Sequence, residues 1–97
     1  MHRALLERRI RDVHARLVRA REDLAVMDEQ LAVLVESAEE MRVRSLVSET
    51  PLAAHEHSEA ARHADAMAKA RAALAGTVRD LERRQDELLA DVATGRS

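Results

Sequence analysis

From Leu6 onward, apolar residues return in alternating steps of four and three: Leu6, Ile10, Val13, Leu17, Ala20, Leu24, Met27, Leu31, Leu34, Ala38 and Met41. That rhythm is a heptad seam, with Ile10 at an a position and Val13 at a d position, and a long α-helix is the conformation that gathers such residues on one side. The same rule restarts after Pro51 and gives Ala53, His57, Ala60, Ala64, Met67, Arg71, Leu74, Val78, Leu81, Gln85, Leu88 and Val92. This second seam is the weaker, because His57, Arg71 and Gln85 occupy a positions.

Ser48-Glu49-Thr50-Pro51 separates the two seams. Proline lacks an amide hydrogen and suits the first position of a helix, and the threonine before it can accept a hydrogen bond from one of the free amides of the first turn. The spacing predicts a first helix over about residues 3–47, a turn over 48–51 and a second helix over about 51–93, all in one domain spanning 1–97. If the chain folds back, a must oppose d, and one register satisfies both seams. In it Ile10 meets Leu88, Leu17 meets Leu81, Leu24 meets Leu74, Leu31 meets Met67 and Ala38 meets Ala60. The d residues of the first helix then meet a residues of the second, with Val13 opposite Gln85, Met27 opposite Arg71 and Met41 opposite His57. Arg9 is expected beside Asp91, Arg44 beside Glu56 and His14 beside Glu82.

Composition supports an all-α chain. The apolar content is 46%, carried without any Phe, Trp or Tyr, and there are only 2 Gly and 1 Pro. Sheet proteins draw on aromatic residues and glycine-rich turns that are missing here. With no cysteine, disulfides, thiolate nucleophiles and cysteine-ligated metals are excluded, and a reducing, cytoplasmic setting is the expected one. There is neither an apolar run long enough to span a bilayer nor a secretory h-region.

A two-helix hairpin buries one stripe per helix, which is thin for 97 residues. Two features suggest where further packing occurs. Ala54, Ala61, Ala68 and Ala75 form a column of strict seven-residue spacing beside the d column of the second helix, where another helix can approach closely. On the first helix Val18, Ala25, Val26, Ala32, Val33 and Val35 widen the apolar surface beyond a and d, as in bundles. The expected architecture is therefore an antiparallel two-helix hairpin, a coiled coil that assembles into a four-helix bundle. The interface residues are read as Val18, Val26, Val33, Ala54, Ala61, Ala68 and Ala75, and the partner as a second copy or another helical protein.

Chemistry is harder to find. His55, Glu59 and His63 share one helix face at i, i+4 and i+8, a spacing able to present ligands to an ion. They do not form H-E-x-x-H, however, and no glutamate has a histidine three residues later, so no metal site is assigned. His57 differs from them in lying on the seam, where protonation would loosen the packing. No serine sits in a strand-turn-helix elbow and no glycine-rich loop is present to cradle phosphate. The expectation is a non-enzyme without cofactor or small-molecule substrate.

Charge is uneven along the chain. Residues 1–21 hold seven arginines against Glu7 and Asp12, whereas residues 22–50 hold eight acids against Arg42 and Arg44. The arginines spread around the helix as a collar, with no aromatic side chain to stack on bases, so nucleic-acid recognition is not expected. The stretch Leu46-Val47-Ser48-Glu49-Thr50-Pro51-Leu52-Ala53-Ala54-His55-Glu56-His57-Ser58-Glu59-Ala60-Ala61 resembles, in its setting, the acidic tip of the Gre transcript-cleavage factors. That family carries a motif like G-D-L-x-E-N-A-E-Y-x-A-A. Glu49, Glu56 and the pair Ala60-Ala61 echo it, and the tip aspartate has no counterpart. The resemblance implies a regulatory hairpin that inserts its acidic tip into a large enzyme such as RNA polymerase. The residues themselves favour an interaction or scaffold protein that self-associates or docks a helical face onto a larger complex.

Overall fold

A computed structural model of the chain describes residues 2–95. It is all-α: helix α1 runs from His2 to Ser48, helix α2 from Pro51 to Thr94, and the two pack against each other as a hairpin. No helix is long and apolar enough to cross a membrane among the described residues. The helix ends fall within one residue of those expected from the heptads and the turn chemistry.

The turn is built as its residues dictate. The Ala53 amide donates to Thr50 Oγ1 at 3.2 Å and the Ala54 amide to the Thr50 carbonyl at 3.1 Å. Thr50 is therefore the N-cap of α2, with Pro51 in the first helical position. At the end of α1 the Glu49 amide donates to the Ser45 carbonyl at 3.1 Å while Glu49 itself takes φ 49°. A left-handed residue closing a helix is a common C-terminal cap, usually filled by glycine. Gly95, with φ 72°, performs that task after α2, its amide 3.3 Å from the Val92 carbonyl.

The chain divides into two compact units, a terminal unit of Met1–Leu24 with Ala73–Ser97 and a turn unit of Ala25–Ala72. In the terminal unit the seam closes into a core of Leu6, Val13, Leu17, Ala20, Val78, Leu81 and Leu88, with Ile10, Leu24, Leu74 and Val92 packed against it. Leu17 is 0% and Leu88 1% exposed. Arginine and glutamate flank this core, and the Arg21–Glu82 ion pair at 3.0 Å spans the two helices beside it. Long side chains of this kind cover apolar surface with their methylene stems. Gln85, a polar residue at an a position, is matched rather than orphaned: its carboxamide lies 3.2 Å from His14 Nδ1.

In the turn unit the same heptad rule gives a thinner core. Only Ala53 and Ala64 are buried there, while Met27, Leu31, Leu34, Met41 and Met67 remain half-buried. The cause is local: α2 brings Ala53, His57, Ala60, Ala64, Met67 and Arg71 to the seam of this unit, small or polar residues for the most part, and its e positions here are the short Ala54, Ala61 and Ala68. Arg71, at an a position, is held by Asp28, Nε to Oδ1 2.7 Å.

The cross-helix pairs differ from those expected. Glu82 pairs with Arg21 and not with His14, which turns to Gln85. Arg9–Asp91 and Arg44–Glu56 are not among the ion pairs of the described residues, and Arg44 instead directs Nη1 to Met41 Sδ at 3.9 Å. Both partners of Arg21 and Asp28 lie on the same side of the seam. A long side chain at one e position has two candidates a heptad apart, and the heptad pattern alone does not choose between them.

Candidate interaction surface

Seven large apolar side chains are exposed in the turn unit: Val26, Val33, Val35, Val43, Leu46, Val47 and Leu52. In the terminal unit Leu5, Val18 and Leu89 are exposed, set singly among charged neighbours. Isolated exposed apolar residues are ordinary on a protein surface, whereas a contiguous group marks a place of contact. Shallow grooves lie along the turn-unit face of α1. One is lined by Leu31, Ala32 and Val35 among acidic residues, and another by Val33, Leu34 and Met67 with Gln30. In each groove a half-buried seam residue is continuous with an exposed valine, so core and surface run into one apolar strip.

The residues singled out from the sequence fall into distinct settings. Val26 and Val33 are exposed, Val33 at 65%, and Val18 is exposed in the terminal unit. Of the alanine column, Ala54 and Ala68 are exposed, Ala61 is half-buried and Ala75 is buried. Val26 and Val33 occupy c positions and the alanines e positions. With 100° between successive residues, c and e lie on opposite flanks of a heptad helix. The valine pair and the alanine column therefore do not form one face. Of the e positions of α1 that share the alanine flank in this unit, Asp28, Val35 and Arg42, the apolar one is Val35, 53% exposed. Leu46, Val47 and Leu52 were not singled out by the heptad reading, although three apolar residues astride a turn are themselves a signal.

Several of the polar groups around this surface are engaged with one another, whereas Glu36 and Glu40, which line the groove beside Val35, are not among the ion pairs of the described residues. Arg42 forks onto Glu39, Nη2 to Oε1 at 2.7 Å and Nε to Oε2 at 3.0 Å. That hydrogen bond, aided by the Arg42 charge and by His57 and opposed by partial desolvation, holds the Glu39 carboxyl below its ordinary value. The same contact raises Arg42, and the hydrogen bond that Arg71 donates to Asp28 raises Arg71. Arg62 meets Glu59 at 2.8 Å, so the carboxylate at the centre of the His55, Glu59, His63 trio is already occupied. No group of three or more metal-ligating side chains converges among the described residues. His57 is half-buried on the seam, as is Met41 across from it. Glu49 and its neighbours in the turn are exposed.

What this surface can do is pack. It offers apolar strips interrupted by ion pairs and by the carboxylates of Glu36 and Glu40, and a stripe of small residues alongside. Comparison with protein families, with curated proteins and with solved structures gives no match to this chain.

Proposed function

We propose that the chain is a non-enzymatic helix-packing module, an interaction or scaffold protein that acts by laying the turn unit against another helical surface. The observation that carries this reading is the contrast in burial along one continuous heptad pattern. The seam of the terminal unit is closed, and that of the turn unit is open beside seven exposed large apolar side chains. Burial of such side chains is worth about 1.5–3 kcal/mol each when complete, a driving force that a covering helix would realise. The cysteine-free composition suits the cytoplasm as the place of action.

Site-specific photo-crosslinking in cells tests the reading. A photoreactive residue at Val33, Val35 or Leu46 should give covalent adducts to a protein chain, and one at Leu5 or Leu89 should not. Adducts absent from all three turn-unit positions, or formed equally in the terminal unit, would overturn it.

A second reading, insertion of the acidic turn into a large enzyme such as RNA polymerase, is favoured by one observation. Glu49 holds a left-handed backbone where glycine is sterically cheaper, so a carboxylate is kept at the turn at a conformational cost. Under this reading Glu49→Gln abolishes the regulatory effect on the enzyme and leaves the adducts from Val33 and Val35 unchanged.

A further inference from the structure

In a heptad helix the b, c and f positions turn away from the seam, toward water. On α2 of the turn unit those positions are filled with both signs of charge: Glu59 meets Arg62 at 2.8 Å, and Asp65 stands one turn from Lys69. The outer face of α1 is different. From Ala25 to Val47 its b, c and f positions hold alanine, valine and leucine, Val26, Val33 and Leu46 among them, together with Glu29, Glu36, Glu39 and Glu40, and no lysine or arginine. All of these positions are exposed.

Glu39 is held by Arg42, which reaches it from an e position, but Glu29, Glu36 and Glu40 are in none of the ion pairs of the described residues. Spaced i, i+7 and i+11, these three fall within about 40° of one another around the helix axis and span about 16 Å along it. Ala32 and Val43 flank this acidic line on one side, and Val26 and Val33 on the other. Glu39 and Glu40 also line two shallow grooves on this face, one with Ala32 and Val35 and the next with Val43 and Val47. Arg44, at the edge of the second groove, turns to Met41 Sδ at 3.9 Å.

Charge excludes most occupants of such a surface. Anionic lipid and a nucleic-acid backbone are both repelled by it. A second copy of the face would set glutamate against glutamate, because a two-fold contact presents every residue twice. What complements it is a helix whose apolar stripe carries lysine or arginine. The stripe covers the valines, and the cations meet the carboxylates of Glu29, Glu36 and Glu40, an attraction that grows as apolar neighbours exclude water.

We infer that the outer face of α1 in the turn unit, centred on Glu36 and Glu40, is a docking site for a cationic amphipathic helix of another protein. This rests on the helix-docking reading above and narrows it to one face and one kind of occupant.

The chain has no Trp, Tyr or Phe, so the fluorescence of a tryptophan-bearing peptide reports binding without background. The probe is a designed helical peptide of about 20 residues, long enough to cover the face, with leucine and alanine along one side and lysine among and beside them. It should bind the full chain saturably and one to one, more weakly as salt is raised. A peptide of the same composition in scrambled order should bind at least about 10-fold more weakly, because it lays no apolar stripe against the valines. Glu36→Lys with Glu40→Lys should raise the dissociation constant of the ordered peptide at least about 30-fold by opposing like charges, and Val33→Ser should raise it about 5-fold by removing apolar contact. Glu59→Lys with Asp65→Lys makes the same change of net charge on the outer face of α2 and should leave the constant within about 3-fold. Far-UV circular dichroism verifies that each variant is helical. No binding of the ordered peptide, equal binding of the scrambled one, or an equal loss from the α2 pair would each overturn the inference. So would a wild-type dimer in sedimentation equilibrium that Glu36→Lys with Glu40→Lys breaks, which would give the face to a second copy. If the ordered peptide fails to bind, adducts from Val33 and Leu46 in the cell would show that helix docking itself stands and that only the cationic partner falls.

Discussion

The terminal unit and the turn unit are built from the same two helices on the same heptad rule, yet they reach different degrees of closure. Leu17, Leu81 and Leu88 sit in a core roofed by arginine and glutamate stems, while Leu31, Leu34 and Met67, at equivalent heptad positions, remain half-exposed. The difference lies first in the seam of α2, which is Ala53, His57, Ala60, Ala64, Met67 and Arg71 in the turn unit and Leu74, Val78, Leu81, Gln85, Leu88 and Val92 in the terminal one, and then in what stands beside it. Alanine at three successive e positions supports the helix through its backbone propensity but leaves the seam without a cover. A chain can thus keep its fold in one region and hold another region ready for contact, with no change of secondary structure.

The largest effect that would break this contrast comes from core truncation. Leu17→Ala should destabilise the chain by about 3 kcal/mol or more, and Leu31→Ala by about half of that, because a half-exposed side chain has less burial to lose and leaves a space open to water. Urea unfolding of the two variants at low protein concentration checks this. Equal losses would mean that the turn unit is as closed as the terminal one.

Thr50→Ala should destabilise by about 1 kcal/mol through loss of the hydrogen bond that caps α2. If the turn unit is the less stable region, the loss should appear first in hydrogen exchange of residues near the turn. Gly76→Ala sharpens the contrast from the other side. A Cβ at Gly76 would meet only Arg79 Nη2 at 3.8 Å, an ordinary contact, so the substitution should stabilise the terminal unit by about 0.5–1 kcal/mol, read as a higher thermal midpoint.

The smallest effect is electrostatic and confined to the turn unit. The Glu39 carboxyl is held below its ordinary value chiefly by the hydrogen bond from Arg42. Its contribution to stability is therefore present above the ordinary carboxylate range and is lost as pH falls through the depressed value. Glu39→Gln should flatten that acid-side slope of the unfolding profile and leave the neutral region little changed, as befits an exposed pair.

Much of the hairpin was legible in the sequence because a and d positions report directly on which side of a helix is inward. Pro51 after Thr50 located the turn to within a residue, and the opposed seams located the register that sets Asp28 within reach of Arg71. Other features depend on more than periodicity. Which partner Glu82 takes follows from the reach of Arg21 over His14, a matter of side-chain length and rotamer. That Val26 and Val33 stand on a different flank from Ala61 and Ala68 requires the heptad letters to be placed around the axis, not only along it. The openness of the turn unit reflects the small and polar residues, Ala53, His57, Ala60, Ala64 and Arg71, that α2 sets against the larger seam residues of α1, a matter of how two side chains fill one layer and not of periodicity in either helix.

The most direct test of the central contrast is native-state hydrogen exchange of the full chain, resolved by residue, at a concentration low enough to keep it monomeric. Amides of the terminal unit around Leu17, Leu81 and Leu88 should exchange only through global unfolding, while those of residues 25–72 should open at appreciably lower free energy and gain protection when the cationic helical peptide is bound. Uniform protection along both helices in the dilute monomer would contradict the account, since the turn unit would then be complete without a partner.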